Sequence, residues 1–275
     1  MSSPLTLPLQ RETSRPRRAL ILAGGALIAA TYFYLVLAQP ADLAGGGGSA
    51  ASLICLFGFL GGGALLVGGI LPTLTTSSLV VMPLGIALNI AIGQTAGSLG
   101  LQIYLDAIGT VLVAVLAGPA AGAATGALSN AIWGLFNPLA LPFAAGAALI
   151  GLLAGTAAKY GAFRRIYLAP FAGLAVGAVG GLVAAPIAAT MFGAAGTVGT
   201  NAIVAAFRAM GDSLLVAATK QGLTSDTLDK LVVFTLVALL VYALPGRARN
   251  QFPFVRRYRV LAGRAPTPVP GTSGE

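Results

Sequence analysis

The sequence contains no histidine and a single cysteine, Cys55. Histidine is the commonest general base and the commonest metal ligand, and one cysteine forms no disulfide within the chain. The sequence also lacks a Gly-Lys dipeptide, and with it the G-x-x-x-x-G-K-[ST] loop that binds nucleotide phosphates. We therefore expect no metal site, no cofactor, no enzymatic activity and no ATP hydrolysis by that route.

Charge is also scarce, at 8% of the chain against about 25% in soluble domains. No charged residue lies between Leu43 and Leu105, or between Ala107 and Ala158. Because 57% of the residues are hydrophobic and a soluble core does not hide that much apolar surface, we predict an integral membrane protein. Its apolar runs are long and do not alternate, so the spanning elements are helices.

The positions of helix-breaking residues and of long apolar runs predict an all-α membrane protein with about eight transmembrane helices. The predicted helices cover residues 19–38, 50–71, 79–97, 104–117, 120–136, 139–158, 166–192 and 229–246. The 38 glycines favour close helix packing. A cleaved signal peptide is an alternative for 19–38, with Val36-x-Ala38 as a cleavage site, but the apolar stretch exceeds the usual 7 to 15 residues.

The net charge of +9 arises mostly from arginines at segment ends, which indicates membrane orientation rather than nucleic-acid binding. Eight crossings place the three basic clusters on one side, so both termini are expected in the cytoplasm. We expect a basic N-terminus at 1–18, two extra helices at 19–78, a six-helix bundle at 79–246 and a basic, Pro-rich tail at 247–275. Within the bundle, 201–220 reads as one external amphipathic helix.

Asp106 is the one carboxylate within a long apolar stretch, and two interpretations remain open. Aspartate favours a helix N-terminus, where it accepts backbone N–H bonds. Alternatively, it faces a cavity and binds a substrate or cation, because membrane carboxylates are costly. Replacing Asp106 with asparagine should then weaken ligand binding without preventing insertion.

Other polar residues have the same two interpretations, as contacts between helices or as the wall of a binding pocket. Asn130, Trp133 and Asn137 share a helix face, and Arg208 and Asp212 are four residues apart on the amphipathic segment. That pair is either a solvated face or part of a lid. The candidate substrate-binding residues are Asp106, Tyr104, Asn89, Asn130, Trp133, Asn137, Arg208 and Asp212.

The stretch IYLDAIGTVLVAVLAGPAAGAATGALSN, at 103–130, resembles the substrate-capturing S components of energy-coupling factor (ECF) transporters. The similar features are Tyr104-Leu105-Asp106, Ile108-Gly109-Thr110, Gly118-Pro119 and the small-residue helix that ends at Asn130. Ala87-x-x-x-Ala91 resembles the family's docking motif, and LTSDTLDKLVVFTLVALLV, at 223–241, resembles the start of its last helix.

The resemblance implies a six-helix bundle that captures a vitamin-like micronutrient outside the cell. It also implies a transmembrane coupling subunit and cytoplasmic ATPase subunits as partners, with Ala87 and Ala91 on the docking face. The two extra N-terminal helices depart from the pattern. A stand-alone ion-coupled secondary transporter and a ligand-sensing membrane module remain alternatives, and the substrate stays open.

Overall fold

The computed structural model describes residues 14–40, 49–194 and 196–261. Within these ranges the regular structure is helical. The nine main helices are α1 (Arg15–Ala38), α2 (Ala50–Ile70), α3 (Thr76–Ser98), α4 (Ile108–Ala117), α5 (Pro119–Trp133), α6 (Ala144–Lys159), α7 (Leu168–Phe192), α8 (Val198–Ala209) and α9 (Leu214–Ala243). The predicted all-α class is thereby confirmed. The first 13 residues and the last part of the tail, from residue 262, lie outside the described ranges.

Five segments of the described chain are long and apolar enough to cross a membrane: α1, α2, α3, α6 with the short turn of helix before it, and α7. The other predicted spans differ for physical reasons. With 10 and 15 residues, α4 and α5 are roughly 15 and 22 Å long, shorter than a hydrocarbon core of about 30 Å. The 30-residue α9 is long enough, but Lys220, Asp226, Asp229 and Lys230 interrupt its apolar character.

The start of α4 is held by a side chain from α3. The predicted cap, Asp106, does not cap: α4 begins after Ala107 and has no side-chain cap from that residue. Instead, Asn89 Oδ1 accepts bonds from the backbone N–H of Gly109 at 2.7 Å and of Thr110 at 3.2 Å. Its amide donates to the hydroxyls of Thr110 and Ser129. Asn89 therefore joins α3, α4 and α5.

The two N-terminal helices pack on the bundle and share its core. Phe59 of α2 and Leu35 of α1 are fully buried in the same apolar cluster as the alanines of α5 and α6. The hydroxyl of Tyr32 in α1 donates to the backbone oxygen of Val183 in α7 at 3.0 Å. The predicted extra helices at 19–78 are thus an integral part of the packed structure of the described chain.

The packing of α7 against α9 depends on a row of glycines. Gly173, Gly177 and Gly181 recur every four residues, so they lie on one face of α7. A Cβ added at Gly177 would lie 2.4 Å from the backbone oxygen of Asp226, and one at Gly173 would lie 2.3 Å from that of Lys230. Small residues allow such close approach, and this approach brings the charged part of α9 into the bundle.

The segment 201–220, predicted as one amphipathic helix, is divided in two. Gly211 has φ +94°, a left-handed backbone conformation that suits glycine, and the chain turns there between α8 and α9. Arg208 and Asp212 do not form the expected carboxylate pair. Arg208 donates to the backbone oxygen of Asp212 at 2.8 Å, whereas the Asp212 carboxylate pairs with Lys220 at 2.6 Å.

Most basic residues of the described chain gather at one end of the bundle, which we call the basic end. Two short helices after α9, α10 (Gly246–Arg249) and α11 (Pro253–Arg257), lie there. Gln251 accepts from the Ser77 hydroxyl at the start of α3 at 2.8 Å, and Lys159 lies 5.3 Å from the Tyr258 ring centre. The exceptions are Arg208, Lys220 and Lys230. The two lysines pair with the aspartates of the described chain, away from the basic end.

Candidate functional site

A cavity of about 450 Å³ lies between the helices, toward the end opposite the basic end. Its wall is formed by the C-terminal parts of α3, α5 and α7, the N-terminal parts of α6 and α9, and the loop before α4. This volume lies within the usual range of small-molecule sites, about 300–1,000 Å³. Much of the wall consists of glycine and alanine, which leave the space open, while charged and aromatic groups occupy defined positions.

The charged part of the cavity centres on Lys230. Its ammonium donates to Asp229 in a short contact, and it lies 3.8 Å from Asp106 Oδ1 and 3.9 Å from Asp226 Oδ1. Asp229 and Lys230 are almost completely buried, at 0% and 1% exposed. Ionisable groups inside a helical membrane bundle are costly and usually functional, so this cluster marks the candidate site.

Asp229 also fixes the loop that carries Tyr104 and Asp106. Its Oδ1 accepts from the backbone N–H of Tyr104 at 3.1 Å and of Leu105 at 2.7 Å. Leu105 has φ +53°, which is rare for a residue with a branched side chain. The carboxylate therefore holds a strained turn in place, and that turn presents Asp106 to the cavity.

The aromatic part of the wall is positioned by amides. Trp133 Nε1 donates to Gln94 Oε1 at 3.1 Å, and Gln221 donates to the Tyr104 hydroxyl at 3.4 Å. Tyr104 lies in the loop outside the helices, yet burial raises the pKa of its hydroxyl to about 12. The Tyr104 hydroxyl thus stays protonated at neutral pH and can donate to a ligand.

Gly93 brings an aromatic ring and a carboxylate side by side. A Cβ at Gly93 would lie 2.8 Å from Asp106 Cβ and 2.8 Å from Trp133 Cη2. Any larger residue would therefore separate the two groups or displace the loop.

The structure brings five of the eight predicted substrate-binding residues to the cavity: Tyr104, Asp106, Asn130, Trp133 and Asn137. Asn137 does not share a helix with Asn130 and Trp133, because α5 ends at Trp133, and it reaches the cavity from the position just before the 3₁₀ helix Pro138–Phe143. The other three do not line the cavity. Asn89 is a buried link between helices, and Arg208 and Asp212 lie at the turn between α8 and α9.

Sequence reasoning missed Asp226, Asp229 and Lys230. The predicted last helix covers 229–246, so Asp229 and Lys230 are its first two residues and Asp226 lies outside it. The available signal was their spacing: residues 226, 229 and 230 share a face of a helix that continues into an apolar run. This signal predicts a buried charged face only if the helix extends on both sides, as α9 does.

The predicted docking residues, Ala87 and Ala91, are exposed on the outer face of α3. They continue a line that includes Val80 and Leu84, which are 64% and 60% exposed. These four residues form an exposed apolar stripe on the surface of the described chain.

Replacing Asn89 with alanine is expected to destabilise the bundle by about 1–3 kcal/mol, because buried N–H groups of Gly109 and Thr110 lose their acceptor. The matched control is Asn201→Ala, which removes one exposed bond to the Gly196 N–H. Thermal unfolding in detergent measures both. Equal melting temperatures for the two variants would contradict the linking role of Asn89.

The chain matches no known protein-family model, no curated protein and no solved structure.

Proposed function

We propose that this chain is the substrate-capturing membrane subunit of an ATP-driven importer of a micronutrient-sized compound, similar to an ECF S component. The observation that carries the proposal is the cavity of about 450 Å³ with its buried charged cluster at one end of a helical bundle. In this arrangement a compound enters opposite the basic end, and partner subunits supply ATP hydrolysis. The sequence fits that division of labour, since it has no phosphate-binding loop.

The proposal includes eight passes with the basic end in the cytoplasm, as the positive-inside rule favours. The short helices α4 and α5 fit a membrane bundle because nearly all of their residues are buried by protein. A helix surrounded by other helices does not need to match the full thickness of the lipid.

A second candidate function, an ion-coupled secondary transporter, is favoured by the same charged cluster. Carboxylates and a lysine inside a bundle commonly bind coupling ions or relay protons. The two functions differ in their energy source. Uptake that stops with an ionophore but continues after ATP depletion would favour the second candidate over the first.

Affinity purification of the full chain from native membranes, followed by mass spectrometry, tests the importer proposal. We expect a transmembrane coupling protein and P-loop ATPase subunits to co-purify. Recovery of the chain alone, from membranes that contain such ATPases, would contradict the proposal.

Ala87→Leu combined with Ala91→Leu should reduce this co-purification by about tenfold or more, because added bulk separates helices that need close contact. The matched control is Ala26→Leu with Ala30→Leu, a pair with the same spacing on the exposed face of α1. Ligand binding by the isolated chain should not change in either variant. Equal recovery of partners with both double variants would show that Ala87 and Ala91 do not lie on the docking face.

A further inference from the structure

The wall of the cavity carries more negative than positive charge. The charged residues that line it in the described chain are Asp106, Asp226 and Lys230, and Asp229 pairs with Lys230. With every group ionised, three carboxylates accompany a single ammonium. In that state the cluster carries more negative charge than the ammonium of Lys230 neutralises.

The charge of Lys230 is directed mainly at Asp229. That carboxylate makes the shortest contact with the ammonium, and its other oxygen accepts from two backbone N–H groups. Asp229 thus has donors on both oxygens. The distances from Lys230 Nζ to Asp106 and Asp226, 3.8 and 3.9 Å, exceed hydrogen-bond length.

Of the three carboxylates, Asp226 has the weakest contact with a donor from the protein. It is nine-tenths buried, at 9% exposed, and it lines the cavity. Among the described residues, none donates a hydrogen bond to its carboxylate, and its ion pair with Lys230 is at 3.9 Å. The Asp106 carboxylate lies on the other side of Lys230, where its side chain is 27% exposed and lines the cavity. Carboxylates inside a bundle are costly unless they are hydrogen-bonded, and the N–H groups of a bound ligand would supply such bonds to both.

An aromatic ring lies beside one of these carboxylates. The packing around Gly93 places the Trp133 ring next to Asp106, and the indole N–H is already used by Gln94. Tryptophan is the aromatic side chain that attracts cations most strongly over its face. A carboxylate and an indole ring side by side both favour a positive charge on the ligand.

The arrangement suits an organic cation better than a metal ion. Within the described ranges, no group of three or more His, Cys, Asp or Glu residues is placed to hold a metal ion. The Lys230 ammonium already occupies the position between the carboxylates that a bare metal ion would need. The cavity of about 450 Å³ also has room for a ring or chain beyond the charged group.

We propose that the ligand is a small organic cation whose N–H groups bind the Asp106 and Asp226 carboxylates while its flat or apolar part lies against Trp133. This assignment rests on the proposed function, because it names the class of compound that the subunit captures. It also explains the cluster: Asp229 and Lys230 fix the geometry, and the two remaining carboxylates bind the ligand.

Three planar probes of matched size test the sign of the charge: benzamidinium, benzamide and benzoate, which are cationic, neutral and anionic. Each is titrated into the full chain in lipid nanodiscs, with calorimetry and the emission of Trp133 as readouts. Trp133 is the single tryptophan of the chain, so its signal reports on the cavity. We expect saturable binding of benzamidinium that is at least about tenfold tighter than that of benzamide, and none of benzoate.

Asp226→Asn and Asp106→Asn should each weaken benzamidinium binding by about tenfold or more and weaken benzamide binding less, because benzamide carries no charge. The matched control is Asp212→Asn, which removes a carboxylate that pairs with Lys220 outside the cavity and should leave both affinities intact. The melting temperature of each variant checks folding. If one aspartate variant fails to fold, the other still provides the test.

Equal or tighter binding of benzamide or benzoate would overturn the cationic assignment, and so would the absence of saturable benzamidinium binding. An equal loss of affinity in Asp212→Asn would overturn the assignment to this cavity. These outcomes are separate from the importer proposal, which depends on the co-purification of ATPase subunits and not on the charge of the probe.

Discussion

Replacing Asp229 with alanine is expected to destabilise the chain by about 3–5 kcal/mol, the usual effect of removing one partner from a buried ion pair. Lys230 would keep a buried ammonium whose nearest carboxylates lie 3.8 and 3.9 Å away. The N–H groups of Tyr104 and Leu105 would also lose their acceptor. Thermal unfolding in detergent gives the loss of stability, and protease cleavage at residues 99–107 reports release of the loop.

Two further variants separate the roles of Asp229. Asp229→Asn retains an oxygen for the two loop N–H groups but loses the charge, so we expect loss of stability with less cleavage of the loop. Asp212→Ala is the control for a carboxylate whose lysine partner, Lys220, is 47% exposed. Such exposed pairs contribute about 0–1 kcal/mol. Similar losses of stability in Asp229→Ala and Asp212→Ala would show that the buried pair of Asp229 and Lys230 does not hold the site together.

Gly177→Ala is expected to destabilise the chain by about 1–3 kcal/mol, although alanine favours a helix over glycine by about 1 kcal/mol. Its Cβ would lie 2.4 Å from the backbone oxygen of Asp226 and 2.7 Å from Thr227 Cα. Backbone atoms of a packed helix cannot rotate away as a side chain does, so α9 must shift. A shift of α9 moves Asp226 and Lys230, and binding at the cavity should weaken as well.

The matched control for this substitution is Gly180→Ala on the same helix. Its Cβ would meet only Ile150 side-chain atoms, at 3.5 and 3.6 Å, which is ordinary van der Waals contact. Both variants gain the same helix propensity, so their difference isolates the contact with α9. We expect Gly180→Ala to match or exceed the original melting temperature. A Gly177→Ala protein with the same melting temperature would disprove the close α7–α9 contact.

Several helices could be predicted from the sequence because their signals are local. The apolar runs indicated α2, α3 and α7 closely, and Gly118-Pro119 predicted the break between α4 and α5. Gly118 has φ +100° there, and Pro119 begins α5. Local backbone preference decides such features, so they can be recognised without knowledge of the neighbouring helices.

The extent of α9 could not be predicted in the same way. The predicted helix begins at Asp229, because charge ordinarily marks the end of a membrane helix, whereas α9 begins at Leu214. The burial of Asp229 and Lys230 depends on partners that are distant in sequence: the glycines of α7 and the loop at Tyr104 and Leu105. A one-dimensional pattern does not contain those contacts.

Asn89 and Trp133 show how two polar-site candidates acquire different roles. Both lie in apolar helices, and for each the sequence permits two interpretations, a contact between helices or part of a pocket wall. Tertiary packing places Asn89 against the first turn of α4, where all its hydrogen-bonding groups find protein partners. Trp133 uses only its N–H, and its ring remains at the cavity wall.

Composition and local pattern are enough to predict that the chain is helical and apolar, that charge is rare within it, and where several helices begin and end. Composition and local breakers decide these properties, since each residue acts through its own backbone preference and hydropathy. The packing of the helices sets which polar residues meet at the cavity and which form buried links between helices. Hydrogen bonds and ion pairs form over a few ångströms, so their partners follow from how the helices pack.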